Sequence, residues 1–209
     1  MDTAPGSTYG GYDAQARQHY WHPEALFGLT YACLHPGERL LDVGIGTGLA
    51  SEPFASAGVA VFGLDSDAEM LALCRAKGFA ADLVQHDLTI TPWPYGEASF
   101  DHVLAAGVLH FFPDIEPICR EVARVLRPGG TFTFTLKGPP LACMVGAGMD
   151  VERRVEETIQ GATLYQHPRA TVDRVLADCG LVVRKELRLA IETGRGTDDL
   201  FYALVTRRL

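Results

Sequence analysis

The stretch Leu40-Leu41-Asp42-Val43-Gly44-Ile45-Gly46-Thr47-Gly48 constrains this chain more than any other. An apolar run of strand length enters three alternating glycines, and a helix-compatible segment follows. Glycine suits the turn because a side chain would block backbone approach to a ligand. The turn also needs dihedrals that other residues avoid. A helix starting there aims its N-terminal amides at whatever sits above the strand. Such a loop is also compatible with a plain tight strand–helix turn, so its neighbours decide its meaning.

Those neighbours alternate between two patterns. Arg39–Val43, Ala60–Leu64, Asp82–Gln85, Phe100–Val108 and Thr131–Leu136 read as strands, the last introduced by Pro128-Gly129-Gly130. Runs apolar on both faces suit the middle of a parallel sheet. Between them, Ser66-Asp67-Ala68-Glu69 opens a helix whose apolar positions are Met70, Leu71, Leu73 and Cys74 and which Gly78 stops. Asp114–Leu126 is a second helix, with Ile115, Ile118, Val122 and Val125 on one face. Strand–helix alternation predicts an α/β doubly wound sheet with right-handed crossovers. Leu181–Ala190 and Leu200–Arg207 read as two strands joined by Glu192–Asp199, with no helix between them, and so pair antiparallel. The 209 residues are read as one domain: an N-terminal lid over 1–38, a core over 39–137, a substrate-side insertion over 138–166, and a helix with the terminal hairpin over 167–209. Both the lid and the insertion fall near the carboxyl edge of the sheet, where such folds bind ligands.

Composition removes several classes of function. No apolar run approaches the ~18–20 residues a membrane span needs, and the Met1–Gly6 terminus lacks the basic and apolar regions of a secretory signal. Net charge is −8, with 13 acids against 4 bases in residues 1–110 and 13 against 14 in the remainder. A duplex-binding protein shows a basic face, because phosphate neutralisation dominates that affinity; nucleic acid is not an expected partner. Five cysteines are scattered and never spaced as C-x-x-C, and the seven histidines show no H-x-x-x-H pair. Neither a disulfide framework nor a metal is expected, and a reducing cytoplasm is the expected setting.

The glycine loop is defined further by the acids around it. A nicotinamide dinucleotide loop wants its third glycine at position 49, which is Leu49, and no phosphate loop of the G-x-x-x-x-G-K-[ST] type is present. The remaining pattern is D-x-G-x-G-x-G, beginning at Asp42. Asp65 ends the second strand about twenty residues later, where an acid can accept from both hydroxyls of a ribose. Its alternative role, helix capping, fits Asp67 better. Asp87 closes the third strand in Gln85-His86-Asp87-Leu88. Three strand ends thus each bring an acid to one edge of the sheet.

Leu41–Ser51, Asp65, Asp87, Phe100–Asp114 and Val125-Leu126-Arg127-Pro128-Gly129-Gly130 together resemble a class I S-adenosylmethionine-dependent methyltransferase, of the small bacterial type with a late L-R-P-G-G motif. The matching core runs from Arg39 to Lys137. The resemblance implies a Rossmann-like seven-stranded sheet, mostly parallel, with an antiparallel C-terminal hairpin. It implies S-adenosylmethionine as cofactor and S-adenosylhomocysteine as product. By position, Asp42 and Gly44 would lie near the methionine end, with Gly46 and Gly48 giving room. Asp65 would hold the ribose, Ser66 and Met70 would flank ribose and adenine, and Asp87 with the Leu88 backbone would meet the adenine amino group. Ala106 and Gly107 would pass under the methionine moiety. Tyr12 and Tyr20 are the candidates for an aromatic closing over the cofactor. Ile45 departs mildly from the small residue usual in that loop.

Methyl transfer from a sulfonium is an in-line displacement, so alignment and water exclusion dominate and a base is optional. His110, at the rim after the fourth strand, is the candidate base; its alternative role is to shape the turn. His19 and His22 fall in the lid as ordinary surface or capping residues, His86 lies beside Asp87, and His167 marks a helix start. The motifs of amino-methylating DNA enzymes, cytosine-C5 enzymes and protein-arginine enzymes are absent from their expected places, which leaves a small-molecule acceptor. Leu141–Val145 could line a pocket, Arg153 or Arg154 could meet a carboxylate, and Asp150–Glu157 reads as a solvated helical face. Two other readings compete: an NAD(P)-dependent oxidoreductase, disfavoured by the glycine spacing and by the lack of Tyr-x-x-x-Lys, and a non-catalytic cofactor-binding protein on the same fold. Oligomeric state is not legible.

Overall fold

The protein is described from a computed structural model covering residues 11–19, 24–140, 156–159, 162–193 and 197–209. Five parallel strands carry the alternating unit: β1 (Arg39–Val43), β2 (Ala60–Asp65), β3 (Asp82–Gln85), β4 (Phe100–Ala105) and β5 (Leu126–Pro140). A two-stranded sheet, β6 (Glu156–Ile159) and β7 (Ala162–Tyr165), precedes the long hairpin β8 (Leu181–Thr193) and β9 (Thr197–Arg208). The helices are α1 (Tyr12–His19), α2 (Glu24–Thr30), α3 (Glu52–Ser56), α4 (Ala68–Lys77), α5 (Glu116–Val125) and α6 (Arg169–Asp178). The seven-stranded sheet runs β3-β2-β1-β4-β5-β9-β8, with β9 antiparallel to both neighbours.

The sheet is apolar on both sides because it is covered on both sides. Leu40, Val61 and Leu104 pack with Leu26 of α2, Phe54 of α3 and Leu71 of α4. Leu41, Val103, Phe132 and Phe134 pack with Val122 of α5 and Val175 of α6. In α4 the Asp67 carboxylate accepts from Glu69 N and Met70 N at 2.8 and 3.1 Å, the capping role read from sequence, and Gly78 closes the helix in the left-handed region. From β1 the chain steps outward one way to β2 and β3, and from β4 the other way to β5. The crevice at the carboxyl ends of β1 and β4 is therefore the topological switch point.

Several boundaries differ from the sequence reading. The fourth strand stops at Ala105 rather than Val108, because Gly107 turns the chain at φ 72° and its N–H goes to Thr135 Oγ1 at 2.8 Å. A single 3₁₀ turn, Leu109–Phe111, then holds His110. The fifth strand starts at Leu126 rather than Thr131. Leu126 pairs with Phe100, and a register shift absorbs Pro128-Gly129-Gly130 inside the strand. Gly130 is required there: a Cβ would lie 2.7 Å from the Asp101 carbonyl oxygen. α5 is shorter than read, with the Asp114 carboxylate accepting from Glu116 N just outside it. The terminal hairpin pairs as far as Thr193 with Thr197, because the backbone ladder continues through polar residues read as loop. Glu156 and Glu157 belong to β6 rather than to a helical face; pairing with Tyr165 and Leu164 outweighs their charge pattern. Leu141–Val145, Arg153 and Arg154 lie outside the described residues.

Candidate active site

The three loop glycines differ in what surrounds them. All have positive φ. A Cβ on Gly44 would sit 2.5 Å from the Val108 side chain, and one on Gly48 would sit 2.5 Å from Phe79 Cζ and 2.8 Å from Cys74 Sγ. Those two keep neighbouring elements close. Gly46 alone has nothing within 4 Å of its Cβ position and so faces open space. Ile45 fits despite its bulk because Gly63 on β2 makes room: a Cβ there would meet Ile45 Cδ1 at 2.6 Å.

The acids at the strand ends differ sharply in environment. Asp42 is 1% exposed, and both of its carboxylate oxygens lack a hydrogen-bond partner. Burial, and to a lesser degree the nearby Asp65 charge, push its pKa up to about 8. Ser51 Oγ lies close enough to lower that value somewhat but falls short of hydrogen-bond geometry, so the hydroxyl is unpartnered too. Asp65 bridges the loop instead: Oδ2 accepts from Gly46 N at 2.7 Å and Oδ1 from Asp67 N at 2.9 Å. Asp87 is exposed, its Oδ1 accepts from both the N–H and the hydroxyl of Thr89 at 2.8 Å, and these bonds hold its pKa below the usual carboxylate range. Leu88 beside it is buried, with its carbonyl accepting from the Trp93 indole N–H at 3.2 Å. Ser66 is exposed, while Met70, Ala106 and Gly107 are half-buried. The structure thus brings Asp42, Asp65 and Asp87 to the carboxyl side of the adjacent strands β1, β2 and β3, with Asp65 bonded to Gly46.

One contact was not legible in the sequence. Asp13 of α1 accepts from Thr47 Oγ1 in the glycine loop at 2.5 Å and from Lys77 Nζ at the end of α4 at 2.5 Å. The first helix is thereby tied to both sides of the loop. An acid 34 residues from one partner and 64 from the other leaves no local signal. Tyr12, next to it, is 40% exposed. Tyr20 and His22 lie outside the described residues, and the His19 side chain is likewise not described.

His110 stands on the other side of the switch point. It is 8% exposed, and its ring packs 4.5 Å from Phe111 and edge-on to Phe201 at 6.2 Å. Its buried Nδ1 has no hydrogen-bond partner. Burial, followed by the charges of Lys137 and His167, pulls its pKa down to about 4, so the ring is neutral at pH 7. Among the described residues no group of three or more His, Cys, Asp or Glu is placed to hold a metal ion. A groove of about 800 Å³, lined by Phe27, Tyr31, Pro36 and Pro53 among others, opens near the amino end of β1 and touches none of the three strand-end acids.

Comparison with known proteins agrees with this geometry. Residues 41–134 match the family model described as a methyltransferase domain. The chain is 34% identical over 126 residues to a malonyl-[acyl-carrier protein] O-methyltransferase of Serratia marcescens, covering 60% of this chain and 48% of that protein. It therefore spans about half the length of that relative. It is 36% identical over 157 residues to a phosphatidylethanolamine N-methyltransferase of Cereibacter sphaeroides, covering 70% of this chain and 71% of that protein. A solved SAM-dependent methyltransferase from Methanosarcina mazei shares the fold with a TM-score of 0.72 at 19% identity, over 87% of this chain and 97% of that one. With a buried strand, a glycine loop and strand-end acids gathered at the switch point, this chain belongs to the class I S-adenosylmethionine-dependent methyltransferases.

Proposed function

We propose that the chain transfers a methyl group from S-adenosylmethionine to an oxygen, nitrogen or carbon nucleophile of a small molecule. The observation that carries this is the Asp42 carboxylate, buried and unpartnered beside an open Gly46 and a loop-bridging Asp65. A buried carboxylate without a partner is costly, and a cationic amino group is the partner that relieves it. The cofactor's amino-acid end carries such a group, so the residues present fit it. When bound, its sulfonium supplies an electrophilic methyl group. Asp42 and Gly44 then sit at the methionine end, with Gly46 and Gly48 giving room. Asp65 accepts from the ribose hydroxyls with its remaining lone pairs, flanked by Ser66 and Met70. Asp87 and the Leu88 backbone take the adenine edge, and Ala106 and Gly107 run under the methionine portion. Tyr12, and Tyr20 by sequence, are the aromatic candidates on the lid. His110, neutral and with a buried, unpartnered Nδ1, is the candidate to take the hydrogen bond or proton of an acceptor.

No helix among the described residues is long and apolar enough to cross a membrane. The acidic balance argues against a nucleic-acid partner, and the scattered cysteines support a cytoplasmic setting. Thermal melts with S-adenosylmethionine, S-adenosylhomocysteine and NADH at ~100 times the dissociation constant test the reading. A bound ligand at that excess adds ~2.7 kcal/mol, or a rise of roughly 5–10 °C at this size. The two sulfur nucleosides are expected to raise the midpoint and NADH is not. Asp65→Ala is expected to weaken nucleoside binding by about 1.5–3 kcal/mol. A rise with NADH alone would return the chain to the oxidoreductase reading.

A further inference from the structure

We propose that the groove between α2 and α3 is a second binding site, separate from the cofactor cleft, for an organic ammonium ion carried on an apolar body. Its walls come from the segments on either side of β1. Phe27 of α2 meets Phe54 of α3 edge-on at 5.2 Å and Tyr31 at 5.4 Å, so the rings fix the spacing of the two helices. Farther along, the Gly37 N–H donates to the Gly58 carbonyl at 2.8 Å, and a Cβ on Gly58 would stand 3.2 Å from Pro36 Cβ. The segments leading into β1 and β2 are thereby clamped together. With both ends tied, the groove of about 800 Å³ is formed before any ligand arrives. That volume lies within the roughly 300–1,000 Å³ of small-molecule sites.

The lining selects the charge of the ligand. Its apolar part includes Phe27, Tyr31, Leu34, Pro36 and Pro53, and its charged residues are Glu24 and Glu52. Among the described residues no lysine, arginine or histidine lines it. A cleft of one sign with apolar walls concentrates its field on a ligand of the opposite sign. The Glu52 carboxylate has no partner among the described residues; the Ser56 hydroxyl donates to the Glu52 backbone carbonyl instead, at 3.1 Å. Glu52 opens α3, where an acid also offsets the helix dipole, but a helix of five residues leaves most of that charge for a ligand. Tyr31 is 61% exposed and presents an open ring in the same groove. Aromatic rings attract ammonium groups, and a carboxylate adds an ionic partner. An anionic ligand is repelled by the acids, and a neutral one leaves Glu52 unanswered. None of Asp42, Asp65 and Asp87 lines the groove, so its ligand does not compete with the cofactor.

The test is an NMR titration of the full chain with 2-phenylethylammonium, 2-phenylethanol and 3-phenylpropionate, which share a ring and an ethyl spacer and differ in charge. Amide signals of Ser56 and Ala57 report on the groove, and that of Gly46 reports on the cofactor loop. The ammonium is expected to move Ser56 and Ala57 but not Gly46, and to bind about three- to tenfold more tightly than the alcohol, with the carboxylate weakest. Glu52→Gln is expected to bring the ammonium down to the level of the alcohol. Tyr31→Ala is expected to weaken both together. Neither side chain is in the core, so both variants are expected to melt with wild type. Equal binding of ammonium and alcohol, or an ammonium preference that survives Glu52→Gln, would overturn the proposal. So would loss of ammonium binding on saturation with S-adenosylhomocysteine, which would put the ammonium in the cofactor cleft. A chain that binds no S-adenosylhomocysteine overturns the methyltransferase reading alone, and the three ligands with Glu52→Gln still decide the groove.

Discussion

At the residue scale, two buried groups pull stability in opposite directions with pH. Asp42 keeps its proton up to about pH 8 in the fold, whereas an unfolded aspartate loses it near 4. The native state therefore binds more protons across that window, and Asp42 costs stability as pH rises from about 4 to about 8. His110 is the reverse. It protonates only near 4 in the fold but near 6.5 when unfolded, so stability falls as pH drops from about 6.5 toward 4. Between those limits the two effects oppose each other, and only single variants separate them. Urea melts of Asp42→Asn are expected to show a gain over wild type that grows by a few kcal/mol (~1.4 per pH unit) from pH 5 to pH 8. His110→Asn is expected to flatten the acid limb by about 3 kcal/mol or less. Parallel pH profiles for the variants and wild type would falsify these assignments. Asp42→Asn also removes the partner proposed for the cofactor's amino group, so its added stability comes with weaker binding of S-adenosylmethionine.

At the element scale, the tie between α1 and the glycine loop is the contact to test. The Asp13 carboxylate is about one-third exposed and Lys77 about one-quarter. A partly solvated ion pair with one added hydroxyl bond contributes on the order of 1 kcal/mol. Asp13→Ala is expected to leave the core melt nearly unchanged. It should speed proteolysis and amide exchange in 12–19 and weaken S-adenosylhomocysteine binding about three- to tenfold. Unchanged exchange in α1 would mean that other contacts hold the helix. Position alone suggests a lid over 1–38; what the structure shows of it is that Asp13 attaches α1 to Thr47 and Lys77. The insertion is different. Within 138–166 the described part is the end of β5 and the β6–β7 hairpin, with β7 packed against the turn that carries His110. The charged run Asp150–Glu157 reads as a helical face from its pattern, and only the pairing of Glu156 and Glu157 with Tyr165 and Leu164 reveals β6.

At the scale of the whole molecule, function follows from where the sheet reverses its order. Saturating S-adenosylhomocysteine is expected to slow amide exchange on both sides of the switch point, in 44–48, 65–70 and 105–108, and to leave α6 unaffected. Equal slowing in α6 would indicate general stabilisation rather than a ligand seated at β1 and β4. The parallel core, the antiparallel hairpin and the acids at the strand ends were all legible in advance, because each depends on short-range pattern. Apolar runs mark strands buried on both faces, glycines mark the turn, and an acid at a strand end marks the edge. The ends of β4 and β5 were misjudged for a complementary reason. Gly107 stops one strand because its N–H finds Thr135, and the other is irregular around Gly130, which lies against the Asp101 backbone; both partners are remote in sequence. Local chemistry alone determined that this chain forms a doubly wound sheet with a nucleoside-type cleft. Only the tertiary structure decided that Gly63 makes room for Ile45, that Asp13 reaches Thr47 and Lys77, and that the Gly107 N–H meets Thr135. Those pairings depend on strand order and register, which the packing of the whole sheet sets and no short stretch of sequence encodes.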